Sequence, residues 1–131
     1  MTSRRCKVLE QGACEQLRLH GYEVRIIPTG NNLRMPPAHL VAGKSGETRY
    51  IRIYKCSARL ANIYRVEECF GRAILRYRTE MARHPAFPIR YEIWLHTVHL
   101  GYRCFAILPD QIQEIPPTGK LPMRLLAEVA Q

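Results

Sequence analysis

The chain has 131 residues, 47% of them hydrophobic and 24% charged, the profile of one ordinary domain long enough to fold without disulfides or metal. That balance excludes a disordered tail, a collagen-like repeat and a coiled coil, and no apolar run approaches the roughly 20 residues of a membrane span. Twenty Lys and Arg against eleven Asp and Glu give a formal charge of +9, which points to an anionic partner.

The opening MTSRRCKVLEQ lacks the apolar stretch of a secretory signal, so a cytoplasmic protein with no membrane association is expected. Over residues 4–20, Cys6, Leu9, Ala13 and Leu17 recur three and four apart and Gly21 closes the run, which predicts an amphipathic helix. YEVRIIPTG (22–30) predicts a strand ending in the turn-prone TGNN. AHLVAG (38–43) predicts a short strand, KSGE a turn, and TRYIRIYK (48–55) a strand rich in β-branched and aromatic residues. Three strands this close in sequence predict a meander.

Residues 62–83 predict the longest helix, with Ile63, Val66, Phe70, Ile74, Tyr77 and Met81 as its core face. At about 100° per residue, Arg65, Arg72, Arg76 and Arg83 fall in one stripe away from that face. The stripe suits phosphate contact; the plainer alternative is a solvated face partly paired by Glu68 and Glu80. His84-Pro85 and Pro88 end the helix. RYEIWLHTV (90–98) and YRCFAILP (102–109) predict two further strands around a HLG turn, apolar enough for burial on both faces. In the closing PPTGKLPMRLLAEVAQ, Leu121, Leu125, Leu126 and Val129 make a short amphipathic segment that caps the domain or packs on a second subunit. Residues 1–110 are thus expected to form an α–β–β–β–α–β–β sandwich on a central mixed sheet, with 111–131 a tail or short helix of the same domain.

Sixteen of the twenty cations are Arg, whose planar fork grips phosphate bidentately, so DNA or another polyanion is the expected partner. A GC-rich genome would produce the same bias without that function. Five cysteines, odd in number and without a C-x-x-C pair, read as free thiols. His96, His99 and Cys104 are set aside as a zinc site, because strand positions three apart face opposite ways. The sequence contains no G-x-S-x-G, P-loop or G-x-G-x-x-G.

Three segments carry a family resemblance. LEQGACEQLRLHGYEV resembles an opening helix with a Glu, small residues and Gly-Tyr at the first strand. HLVAGKSGETRYIRI resembles a hairpin that usually reads Asp-Leu-hydrophobic-Ala, turn, hydrophobic-Glu-hydrophobic-Lys. FGRAILRYRTEM followed by FPIRYEIWLHTV resembles a later helix and its strand. In this order they make residues 8–108 resemble the PD-(D/E)XK nuclease superfamily, in its Holliday-junction-resolvase-like branch. The resemblance implies a restriction-endonuclease-like fold and metal-assisted phosphodiester hydrolysis, in which an Asp and a Glu hold Mg²⁺ and a Lys polarises the phosphate or helps activate water.

Here the Asp position is His39, the Glu position Arg52 and the Lys position Tyr54, while the supporting Glu of the helix survives as Glu10. Reaching Lys55 takes a one-residue slip that would turn the strand inside out. Glu47 lies in the hairpin turn, and Asp110, the single Asp, is far from the motif. Catalytic residues and a metal are therefore not expected, Mg²⁺ entering only if the ligands have migrated. Arg52 and Tyr54 share one strand face; with Lys55 and the four helix arginines they form the expected nucleic-acid-binding set. The plain alternative for Arg52 is an ion pair with Glu10. The reading that results is a non-catalytic nuclease-fold protein binding DNA or another polyanion, with a homodimer as in the resolvases. Two alternatives stay open: an active structure-specific endonuclease using Glu10 and Glu47, and a structural subunit meeting an acidic protein through the arginines.

Overall fold

The two longest strands lie side by side at the centre of one six-stranded sheet. The computed structural model describes residues 4–27, 38–83, 89–98 and 101–116. Its elements are α1 (Arg4–Leu19), β1 (Glu23–Ile26), β2 (Leu40–Lys44), β3 (Glu47–Lys55), α2 (Ile63–Cys69), α3 (Gly71–Arg83), β4 (Ile89–Thr97), β5 (Gly101–Ile107) and β6 (Ile112–Ile115). Strand order in space follows the chain, β1 to β6. Every neighbouring pair is antiparallel except β3 and β4, which run parallel from Thr48 beside Ile89 to Lys55 beside His96. The reason is the connection: short turns join β2 to β3 and β5 to β6, whereas α2 and α3 lie between β3 and β4 and the crossover returns the chain in the same direction.

Strand alternation divides the core in two. Ala13, Cys14 and Leu17 of α1 pack on Leu40, Ala42, Ile51, Ile53, Trp94 and Cys104. On the opposite face Val66, Ile74 and Tyr77 pack on Tyr91, Ile93, Leu95, Phe105 and Ile107. Both faces of β4 and β5 are covered, as their near-continuous apolar sequences require. The first helix stops where Gly21 adopts a φ of 87°, its N–H bonding Arg18 O while Tyr22 N–H reaches back to Leu17 O. That closure turns the buried Tyr22 under the sheet edge.

Two elements differ from the sequence expectation. The helix expected over 62–83 is two helices bent at Phe70, whose φ of −123° and ψ of 29° leave the helical region. Apolar periodicity runs through the bend unbroken, because Phe70 N–H still bonds Val66 O and Ile74 N–H bonds Phe70 O. The segment after residue 110 begins with a strand and not a tail: β6 pairs with β5 from Ile112 beside Ile107 to Ile115 beside Cys104. The distal part of the 22–30 strand, the 84–88 break, His99 and the Leu121–Val129 segment lie outside the described residues. No helix among the described residues is long and apolar enough to cross a membrane.

Candidate nucleic-acid interface

Three of the motif positions converge where β2 begins. His39 stands one residue before β2, its N–H bonded to Ile51 O, so it continues the hairpin ladder beside Arg52. Its Nδ1 accepts the Ile53 N–H at 2.9 Å, which places the proton of the neutral ring on Nε2. Burial, reinforced by the Arg52 charge, pushes the His39 pKa down to about 4. Tyr54 meets this ring edge-on with centroids 6.0 Å apart and packs on Phe70 at 4.7 Å. Ile51 and Ile53 face α1, so the intervening Arg52 projects to the α2–α3 side with Tyr54, its guanidinium 5.5 Å from the Tyr54 ring centre. The site therefore carries one fixed positive charge, one neutral N–H donor and one phenol, all on half-buried side chains.

The other expected residues are spread more widely. Lys55 is exposed at the end of β3, beside His96 of β4. Glu10 lies in the sheet-facing row of α1 with Ala13, Cys14 and Leu17, and is 7% exposed. The bend at Phe70 separates Arg65, on α2, from Arg72, Arg76 and Arg83 on α3, so the four do not form the single straight stripe of a continuous helix. Arg65 pairs with Glu68 at 3.2 Å and Arg83 with Glu80 at 3.8 Å. Arg72 and Arg76, one turn apart and exposed, have no hydrogen bond or ion pair among the described residues.

Sequence reasoning missed the most buried charges among the described residues. Arg49 and Glu92, both fully buried, meet fork to fork on the α1 face, with Nε–Oε2 at 2.6 Å and Nη2–Oε1 at 2.5 Å. Trp94 Nε1 also donates to Glu92, and the Arg49 guanidinium lies 5.0 Å from the Tyr22 ring centre and 5.6 Å from that of Trp94. Burial opposes the Arg49 charge, but the Glu92 carboxylate outweighs it and holds the pKa above the ordinary arginine value. Arg90 stands directly beside Arg49 in the ladder and binds Glu47, which also accepts the Tyr22 hydroxyl at 2.8 Å. Glu47 is thus the first residue of β3 and already engaged, not a spare acid in a turn. The available signal was alternation: Arg49 shares the inward parity of Ile51 and Ile53, and Glu92 interrupts the apolar YEIWL run.

These donors do not fit Mg²⁺, which takes oxygen ligands with compensating negative charge. The motif positions offer an imidazole whose Nδ1 is occupied, a guanidinium and a phenol. Glu47 and Glu92 are bound to arginines, and Asp110 lies exposed in the turn between β5 and β6. Among the described residues no group of three or more His, Cys, Asp or Glu is gathered to hold a metal. His96 and Cys104 do share a sheet face, but His96 packs edge-on against Tyr102 at 4.8 Å and Cys104 is buried.

The architecture has a solved counterpart. The structure of Archaeoglobus fulgidus Hjc, a Holliday junction resolvase from an archaeal hyperthermophile, superposes with a TM-score of 0.53 over 83% of this chain and 86% of that one. Sequence identity is 13%. The chain has the restriction-endonuclease-like fold. Within that fold β2, β3 and β4 occupy the middle of the sheet, and the hairpin that carries His39, Arg52 and Tyr54 is one of its central elements. No protein-family model matches the sequence, and no curated protein does.

Proposed function

We propose that this chain is a non-catalytic nuclease-fold protein that binds DNA or another polyanion. Its contacts are Arg72 and Arg76 on α3, supported by Arg65, Arg83 and Lys55, and a phosphate seat formed by His39, Arg52 and Tyr54. The observation that carries the reading is the chemistry of that seat, where the resemblance places two carboxylates and a lysine and this chain has an imidazole, a guanidinium and a phenol. An anion is stabilised there by the Arg52 charge and by the Nε2–H that the Ile53 hydrogen bond leaves on His39. Loss of the acids does not remove affinity, because binding to nucleic acid comes mainly from phosphate neutralisation. The solved neighbour is a Holliday junction resolvase by name, which supports a nucleic-acid partner.

The test is fluorescence anisotropy with labelled duplex, single-stranded and four-way-junction DNA at two salt concentrations, with parallel gels containing Mg²⁺ or Mn²⁺. Salt-sensitive binding without cleavage is expected. Metal-dependent cleavage abolished by Glu10→Gln would establish the migrated-ligand endonuclease instead. Absence of binding at low salt would overturn the polyanion reading and direct the search to an acidic protein.

A further inference from the structure

Lys55 leaves β3 on the face opposite Tyr54. Tyr54 and Cys56 both pack into the α2–α3 cluster, so the residue between them points to the α1 side. Directly beside it in the parallel ladder stands His96 of β4, with the parity of Trp94, which packs under α1. Tyr102, opposite His96 on β5, meets the imidazole edge-on at 4.8 Å and donates its hydroxyl to Leu9 O of α1 at 2.5 Å. The ring is thus held in place next to the helix. Among the described residues neither the Lys55 ammonium nor a ring nitrogen of the half-buried His96 has a hydrogen bond or ion pair. The acids that β3 and β4 carry on this face, Glu47 and Glu92, lie eight and four positions back and are bound to Arg90 and Arg49.

We propose that Lys55 and His96 form a second phosphate contact, on the α1 face, for the nucleic acid whose other contact is the His39–Arg52–Tyr54 seat. The inference rests on the polyanion reading and adds to it a binding residue, His96, and a path for the ligand. Both contacts lie at one end of the sheet. Lys55 and His96 close the β3–β4 seam, while His39 N–H bonds Ile51 O and its ring accepts the Ile53 N–H, beside that same end of β3. In α/β sheets ligands gather outside the carboxyl ends of parallel strands. A phosphodiester strand laid across this end meets Arg52 on one face and Lys55 on the other. Lys55 supplies a flexible point charge, and His96 supplies an N–H donor whose position Tyr102 fixes. The ligand class is therefore a nucleic-acid strand with a phosphate for each face, and not a lone phosphate ion.

Fluorescence anisotropy with a labelled oligothymidylate over a salt series tests this, comparing wild type with Lys55→Ala and His96→Phe. Lys55→Ala should reduce the slope of log K against log salt by about 0.7. His96→Phe keeps a ring against Tyr102 and removes both nitrogens, and should weaken binding by about 3- to 10-fold. In ¹⁵N-labelled wild type the His96 ring nitrogens should shift as the oligonucleotide is added, a signal that a purely structural ring does not give. Circular dichroism confirms that both variants fold. If wild type binds and either variant binds equally well, the second contact is overturned and the polyanion reading stands. If wild type does not bind at low salt, that reading falls and the second contact falls with it.

Discussion

Arg49 carries a full charge in a place closed to bulk solvent, and Glu92 is what permits it. Replacing one member of such a pair leaves the other charge uncompensated, so Glu92→Gln should lower unfolding free energy by about 3–5 kcal/mol in urea titrations. Arg49→Met combined with Glu92→Leu should recover most of the loss, because apolar residues of similar size satisfy the same space. His39 makes a pH-dependent contribution. Its folded pKa near 4 lies below the 6.5 of the free side chain, so on acidification the unfolded chain takes the proton first. Stability from this residue is complete above pH 6.5, declines as pH falls toward 4 and is level below that. His39→Gln should flatten that part of the profile in thermal melts collected across pH. At this scale the sequence was half legible. Alternation places Arg49 and Arg52 on opposite faces of the sheet, but nothing in a linear pattern tells which distant residue meets each, and Glu92 lies 43 residues from Arg49.

Elements were more legible, and the two misses have definite physical causes. Helix periodicity records which face is apolar, not whether the axis is straight, so Val66, Ile74 and Tyr77 were placed correctly while the bend at Phe70 passed unseen. The fourth residue pair of β5 and β6, Ile107 beside Ile112, is closed by a turn containing Pro109 and Asp110, a recognisable turn signal. Its strand is only four residues long and stands close to Pro116 and Pro117, and that proline-rich setting reads as a tail. The start of α2 is set by Asn62, whose side-chain oxygen accepts from Tyr64 N–H at 3.0 Å and Arg65 N–H at 3.1 Å. Asn62→Ala should cost about 1 kcal/mol of stability in denaturant unfolding, and Asn62→Ser much less.

For the whole molecule, element order and charge were the legible quantities, and the topology followed from them. A helical pattern between two apolar strands implies a crossover, and a crossover implies a parallel pair, which is how β3 and β4 meet. The arrangement of the basic surface was not legible to the same degree, because ion pairing discounts part of it: Arg65 and Arg83 pair with Glu68 and Glu80, and among the described residues Arg72 and Arg76 form no ion pair. The double variant Arg72→Ala with Arg76→Ala should therefore weaken DNA binding across all sequences and reduce the slope of log K against log salt by about 2. The same changes at Arg65 and Arg83 should have a smaller effect on the slope, measured by anisotropy over a salt series.

The parallel seam also bears on how quickly the protein assembles. β1 to β3 and β4 to β6 are each runs of neighbouring strands, but the seam joins residues such as Thr48 and Ile89, which are 41 positions apart. Closing that interval costs chain entropy before any contact across it is rewarded, so the two halves have reason to form early and the seam late. Tyr50 and Tyr91 stack across the seam with ring centres 5.5 Å apart, which makes them a probe of the moment of joining. In stopped-flow refolding, Tyr91→Leu should leave the folding rate nearly unchanged and speed unfolding, the pattern of contacts made after the rate-limiting barrier. A matching drop in folding rate would instead mean that joining the halves is itself the barrier.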